Sequence, residues 1–443
     1  MIFMPTQILG WWLRAACTVA ALWFGIALIM NAQTPVSRPV IVEHQPEVAP
    51  HDGSDTETSA KRPSPVTVTT VTTKHNFEFG WNRRTGILVA GIALVLWSIA
   101  GGWLSGVLWR PRDPGFPKDA SNGIVTRLNR PDGTQLYIEC FGKTDGVPII
   151  LTHGWGLDSR EWLLVRRELE NRFRVIVWDL PGLGRSKGPD TKDWSLAKLA
   201  TDLRAVMNFV GEQPVVLAGH SIGGMIILTY CQIFPEEVDA RIAGIVLGQT
   251  TYKNPVETTS MAWLYRAIQK PVLEPLCYLM IGLAPVAWLM NWWSYCSGSV
   301  HQTNHKKFFS LAESREQLGF ISKYSVQSWP AVIARGLLGM FRFNSESILP
   351  AIGVPTVVVN GDRDSTCLPS ASKRMVDLIP AARAISLQNA EHGGVFEFHK
   401  RFAEAIHELA STSLSYLEAS GVGLSDPGAE LSDRHVVPAP KGR

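Results

Sequence analysis

The chain has 443 residues, of which 46% are apolar and only 18% charged, with a formal net charge of +3. So small a charge over this length gives no reason to expect a nucleic-acid partner, and the apolar excess asks for more than an average soluble core. The six cysteines, Cys17, Cys140, Cys231, Cys277, Cys296 and Cys367, are scattered without a C-x-x-C pair, so the sequence calls for no zinc site, disulfide framework or cofactor.

Two apolar segments open the chain. Ile8 to Met30 is interrupted only by Arg14, and Gly86 to Trp109 carries no charge and includes Trp97, Trp103 and Trp109. At about 1.5 Å per residue each is long enough for roughly 30 Å of hydrocarbon, and the expectation is a membrane anchor over residues 1–110, with spans at 8–30 and 86–109. The first segment also fits a secretory signal peptide. Its cleavage site would be poor, because Met30 stands where a small residue is wanted. Residues 31–84, rich in Pro, Thr and Ser, read as a disordered loop, although Val66 to Thr73 has strand composition. Residues 111–122 form a Pro-spaced linker carrying Arg112 and Lys118, just after Arg110.

From residue 123 the pattern changes. Ile124 to Leu128 and Gln135 to Cys140 read as strands joined by the turn Pro131-Asp132-Gly133. Val147 to Leu151 is a buried strand, Asp158 to Glu170 a helix capped by Asp158, Phe173 to Trp178 another strand and Leu196 to Val210 a helix. Val215 to Ala218 then runs into Gly219-His220-Ser221-Ile222-Gly223, a G-x-S-x-G turn between a strand and a helix. A serine at such an apex needs room on both sides, and the glycines supply it. Ile242 to Leu247 is the next strand. Residues 250–345 are helical and Trp-rich. Strands resume at Thr356 to Val359 and Ala384 to Leu387, and a helix over Phe396 to Leu417 closes the domain. Strands alternating with helices imply an α/β fold with a mostly parallel sheet covered on both faces. Residues 419–443 read as a frayed tail.

Serine attacks well only when a base takes its proton and an acid holds that base. The strand ending at Val359 leads into Asn360-Gly361-Asp362-Arg363-Asp364, and the one ending at Leu387 leads to Glu391-His392-Gly393-Gly394. His392 is thus the candidate base, and Asp362 and Asp364 compete for the acid's place. His220 reads as a packing residue of the turn, while His399 and His407 belong to the closing helix. An oxyanion needs fixed backbone donors. The amide of Ile222, at a helix N-terminus, and that of Trp155, in His153-Gly154-Trp155-Gly156 directly after a strand, are the candidates.

Five blocks now stand in order: HGWG at 153–156, DLPGLGRS at 179–186, GHSIGG at 219–224, GDRD at 361–364 and EHGG at 391–394. In these the chain resembles the α/β-hydrolase superfamily over residues 124–417. The resemblance implies Ser221 as nucleophile, His392 as base and Asp364, three residues after Gly361, as orienting acid. It makes 123–249 and 346–418 an α/β-hydrolase core and 250–345 an inserted helical cap, and leaves Asp179 to a structural loop.

The expected function is a membrane-anchored serine hydrolase of carboxylic esters, lipophilic or acylglycerol-like, of lipase or esterase type. Amide, thioester and carbon–carbon bond hydrolysis stay open, as does a non-catalytic membrane scaffold. Arg110, Arg112 and Lys118 directly after the second span favour a hydrolase domain on the cytoplasmic side, against Arg83 and Arg84 at its other end. In the cap, Cys277 to Cys296 is twenty residues without a formal charge. Pro285 should split it into two short helices, and Trp288, Trp292 and Trp293 suit the headgroup boundary of a bilayer. The expected partners are therefore an ester or lipid substrate and the membrane itself.

Overall fold

Continuous apolar runs such as Ile149-Ile150-Leu151 and Val215-Val216-Leu217-Ala218 have no polar face to turn outward, and they form the centre of the sheet. The computed structural model describes residues 16, 19–31, 83–108, 110–117, 122–310 and 312–419. Most of the expected loop 31–84, the strand-like Val66 to Thr73, the start of the first apolar segment and nearly all of the tail lie outside the described residues. The chain divides into two compact units, one of Ala21–Val95 and one of Met1–Ala20 with Leu96–Arg443.

In the smaller unit, helix α1 (Val19–Asn31) meets the first part of helix α2 (Arg83–Leu108). A Cβ added at Gly91 would lie 2.8 Å from the Gly25 carbonyl oxygen, so the two backbones cross in close contact through small residues. No single described helix is long and apolar enough to cross a membrane; α1 and the Thr85–Gly101 part of α2 are apolar but shorter. The expected spans thus stand only as apolar helices.

The larger unit holds an eight-stranded sheet. Its strands are β1 (Ile124–Asn129), β2 (Gln135–Gly142), β3 (Pro148–Thr152), β4 (Arg174–Trp178), β5 (Val215–His220), β6 (Ile242–Gly248), β7 (Thr356–Gly361) and β8 (Ala382–Leu387). The spatial order is β1-β2-β4-β3-β5-β6-β7-β8. β2 pairs antiparallel with β1 and β4, and every pair from β4 to β8 is parallel. Successive side chains point to opposite faces. Ile150, Leu217 and Ile245 therefore join one core with helices α4 (Leu196–Val210) and α5 (Ile222–Ile233). Ile149, Val216 and Val246 join the other with α3 (Leu163–Leu169) and α15 (His399–Ala419). The expected helix from Asp158 begins as a 3₁₀ turn, Ser159–Trp162, whose first turn the Asp158 carboxylate caps through the Arg160 amide. After α5, α6 (Pro235–Arg241) leads into β6.

Between β6 and β7 lies the helical insertion. It contains α7 (Ala262–Ile268), α8 (Glu274–Gly282), α9 (Ala284–Cys296), α10 (Ser299–Lys307), α11 (Arg315–Gln327) and α12 (Pro330–Met340). The Ser345 amide donates to the Tyr252 carbonyl at 2.8 Å, and Lys253 bridges Asn344, so the insertion leaves and rejoins the core at one point. The uncharged cap segment does break. The chain bends by 96° between α8 and α9, and Pro285 sits in the first turn of α9, where its missing N–H is not needed. The tryptophans depart from expectation: Trp292 and Trp293 are only half-exposed, Trp292 packing on the main core. The large apolar side chains that the insertion leaves exposed are instead Met261, Trp263, Tyr278, Leu279, Leu283, Val286, Leu289 and Trp329. α13 (Pro369–Leu378) follows β7, and the short α14 (Gly394–Glu397) precedes α15.

The elbow helix seats on the sheet at Gly223, where an added Cβ would stand 2.2 Å from the Thr152 carbonyl oxygen of β3. Backbone cannot yield there as a flexible side chain would. Gly223→Ala is expected to destabilise the protein by roughly 1–3 kcal/mol, the usual cost of overpacking, read as a lower thermal midpoint.

Candidate active site

β5 ends directly in Ser221, whose backbone sits at φ 55° and ψ −118° before α5 begins at Ile222. A serine at positive φ is strained, and two bonds hold it there. Its amide donates to the Gly248 carbonyl at 3.0 Å, and the Thr250 hydroxyl donates to its carbonyl at 2.5 Å. As the first residue of α5, Ile222 has an amide without an intrahelical acceptor.

The loop after β7 carries two acids with different surroundings. Asp362 is exposed, whereas Asp364 is buried and fully engaged. Its Oδ1 accepts from the amides of Thr366 at 2.8 Å and Cys367 at 2.9 Å. Its Oδ2 lies 2.7 Å from His392 Nδ1 and accepts from Gln249 Nε2 at 3.2 Å. The carboxylate is acceptor-only when ionised, so Nδ1 of His392 carries the hydrogen and Nε2 is left basic. That Nε2 is buried without a hydrogen-bond partner among the described residues. Burial pushes the His392 pKa down, Asp364 opposes this only in part, and the net shift is downward. A neutral imidazole with a free lone pair is what a general base requires.

The third wall is the turn after β3. The Trp155 indole is buried and donates to the Ile333 carbonyl of α12 at 3.1 Å, while the backbone amide of Trp155 has no hydrogen bond among the described residues. His153 holds the neighbouring loop, its Nε2 accepting from the Leu180 amide at 2.9 Å. Asp179 is consumed structurally, taking the amides of Ser159 and Arg185 at 2.8 and 2.7 Å.

Beneath these loops lies a buried ion pair, with His220 Nδ1 2.8 Å from Glu161 Oε1 and both side chains at 0% exposure. His220 Nε2 is 3.0 Å from the His392 carbonyl oxygen, and Glu161 Oε2 accepts from the Gly154 amide at 2.6 Å. Burial alone would lower the His220 pKa, but the Glu161 charge outweighs it and the net shift is upward. Burial would likewise raise that of Glu161, and the His220 charge turns the net shift downward. Both shifts favour the charged forms between the two groups' ordinary values, and the contact ties together the turn after β3, the elbow and the histidine loop.

The five residues singled out in the sequence, Ser221, Asp364, His392, Trp155 and Ile222, stand at the carboxyl edge of the parallel strands. His399 and His407 stay in α15, where His407 Nε2 is 2.9 Å from Arg172. Two further residues were not singled out. Gln249, at φ 43°, binds Asp364 and also donates to the Glu391 carbonyl at 2.5 Å; its place directly after β6 was the available signal. Glu161, within the 3₁₀ turn, gave none.

A family model described as the alpha/beta hydrolase family matches residues 149–405, more than half of the chain. An uncharacterized protein of Mycobacterium tuberculosis is 32% identical over 137 residues, which cover 29% of this chain and 40% of that protein's length. The chain thus spans less than half of that relative. The pimeloyl-[acyl-carrier protein] methyl ester esterase of Aeromonas hydrophila is 24% identical over 283 residues, 62% of this chain and 98% of that protein. Among solved structures, a thermophilic esterase from Thermogutta terrifontis is similar with a TM-score of 0.53 and 24% identity, covering 65% of this chain and 98% of that one. At that identity the likeness speaks for the fold.

The ion pair sets a pH signature. The raised pKa of His220 contributes stability that is complete below its unfolded value, about 6.5, and is lost as pH rises through the folded value. The lowered pKa of Glu161 contributes stability that is complete above its unfolded value, about 4.3, and is lost as pH falls through the folded value. Glu161→Gln is expected to cost roughly 3–5 kcal/mol, as breaking a buried pair does. Denaturation across pH should show the gap from wild type widest between about 4.3 and 6.5 and narrowing once His220 deprotonates. A gap independent of pH would contradict an ionised pair.

Proposed function

Because the chain belongs to the alpha/beta hydrolase family, we propose that it is a membrane-anchored serine hydrolase that cleaves lipophilic carboxylic esters through Ser221, His392 and Asp364. The observation that carries the reading is His392: its Nδ1 is taken by Asp364 at 2.7 Å and its buried Nε2 has no partner among the described residues. In this scheme His392 Nε2 takes the Ser221 proton as Oγ attacks the ester carbonyl. The amides of Trp155 and Ile222 receive the negative charge that develops on the carbonyl oxygen. His392 then gives the proton to the departing alkoxide, leaving an acyl-serine. A water molecule, deprotonated by the same nitrogen, hydrolyses that ester and restores Ser221. Asp364 keeps the tautomer and steadies the imidazolium throughout.

The lipophilic substrate and the bilayer are argued from the cap and the N-terminal helices. α9 is inverted for a water-facing helix: Asn291 and Ser294 are buried, while Val286 and Leu289 are 54% and 61% exposed. Trp263 and Tyr278, at 73% and 58% exposed, extend the same kind of surface. So many large apolar side chains held outward suit an interface with lipid. The glycine crossing of α1 with α2 suits a helical hairpin in a membrane. The cations after α2 favour a cytoplasmic hydrolase domain.

Ser221→Ala and His392→Ala are each expected to lower ester turnover by at least about 10³-fold, because the groups act as a unit. Fluorophosphonate labelling should disappear with Ser221→Ala. Asp364→Asn should cost somewhat less, with Asp362→Asn near wild type. Rates on p-nitrophenyl esters should rise from acetyl to longer acyl chains. Undiminished turnover in Ser221→Ala overturns the mechanism, and a preference for acetyl esters overturns the lipophilic substrate.

Topology is tested separately. In sealed vesicles with the cytoplasmic face outward, added protease should digest the hydrolase domain, and protection of that domain would reverse the assignment.

A further inference from the structure

A cavity of about 670 Å³ opens between the cap and the core, and none of Ser221, Asp364 and His392 lines it. Its wall comes from the loop before α4, from α5, and from α8 and α12 of the cap. Two features set it apart from a chance crevice. Three cations reach it, Lys192, Arg335 and Arg342, against one carboxylate, Asp193. Asp193 is partly engaged, its Oδ1 accepting from the Ser195 amide at 2.8 Å. Arg342 leans on the carbonyl of Leu338 at 2.7 Å and stands 4.0 Å from Glu274. Lys192 and Arg335 have no carboxylate within ion-pair distance among the described residues; Arg335 is half-buried, 6.0 Å from the Trp194 ring. Lys192 is moreover held at φ 58°, a strained backbone for a side chain with no partner there.

The second feature is the apolar part of the lining. Tyr278, Ile281 and Leu338 line the cavity, and Tyr278 belongs at the same time to the exposed apolar face that continues through Leu279 and Leu283. The cavity is therefore a cationic recess at the edge of an apolar surface. That pairing matches a molecule with a negative head and a hydrocarbon tail. A cavity of this size is within the range that holds such a ligand. A half-buried guanidinium without a counter-charge gains most from a phosphate, which it can meet with two parallel hydrogen bonds.

We propose that this recess binds the phosphodiester head of an anionic phospholipid, with Arg335 and Lys192 on the phosphate and the acyl chain along Tyr278 and Ile281. The site is separate from the hydrolytic one. Its value to the protein rests on the membrane attachment proposed above: a headgroup held at the seam of cap and core fixes how the cap's apolar face meets the bilayer.

The test uses the detergent-solubilised full chain carrying Ser221→Ala, so that turnover cannot intervene and a failed catalytic assignment leaves the result unaffected. Thermal midpoints are measured while titrating dioctanoylphosphatidylglycerol, dioctanoylphosphatidylcholine, octanoate and inorganic phosphate. The phosphatidylglycerol is expected to give a saturable upward shift, with an apparent affinity at least tenfold above the zwitterionic lipid of equal chain length. Arg335→Gln and Lys192→Glu should each weaken that affinity tenfold or more while leaving the lipid-free midpoint near its starting value. Lys192 is exposed, so its variant keeps the test open if Arg335→Gln fails to fold. Equal shifts from both lipids, or an unchanged phosphatidylglycerol affinity in Lys192→Glu, overturn the proposal. A shift by octanoate or phosphate as strong as that by phosphatidylglycerol overturns the phospholipid assignment.

Discussion

The buried pair of Glu161 and His220 is the constraint on which the edge carrying the candidate site depends. Removing two charges from water costs several kcal/mol per ion unless the remaining polar atoms are also satisfied. Here they are satisfied by backbone: Glu161 takes the Gly154 amide and His220 faces the His392 carbonyl. Each of those backbone groups belongs to a different loop. The electrostatic cost of the pair is thus offset only when the turn after β3, the elbow and the histidine loop stand in one relative position. A pair of apolar residues of the same volume is often as stable but offers those loops no hydrogen bonds.

Around this point the sheet supplies direction. Parallel strands β3, β5, β6, β7 and β8 all end on the same edge, and Trp155, Ser221, Gln249, Asp364 and His392 lie in the segments that follow them. Ser221, Gln249 and Asn389 all adopt positive φ, so local strain sits in the segments after β5, β6 and β8. At Ser221 it is held by the bonds to Gly248 and from Thr250 described above, and at Gln249 by its amide donating to the Val359 carbonyl at 2.7 Å. Rigid β-structure behind strained loops is a common way to present a reactive side chain with little freedom.

The strands were legible in the sequence because doubly covered parallel strands are unbroken apolar runs. Their ends were not, because β5 and β7 continue through Gly219-His220 and Asn360-Gly361, residues whose side chains carry no apolar signal. Asp364 and His392 were legible as candidates because each follows a strand. Glu161 was not, since one carboxylate in a polar turn looks like any solvated residue until the fold buries it. The tryptophans of α9 misled for a related reason. That helix is apolar nearly all round, so composition does not say which face turns inward, and it buries Asn291 and Ser294 rather than its largest side chains.

The neck of the insertion carries one more consequence. Because Tyr252 and Ser345 are hydrogen-bonded to each other and Lys253 bridges Asn344, the detour over residues 253–344 begins and ends at a single spot on the core. Loop closure between fixed, adjoining ends grows only slowly more costly with added length. The insertion can therefore lengthen, shorten or be exchanged without disturbing the register of β6 with β7. Variation in that one segment is a route by which a single strand edge can be paired with different covers and different surfaces to rest on.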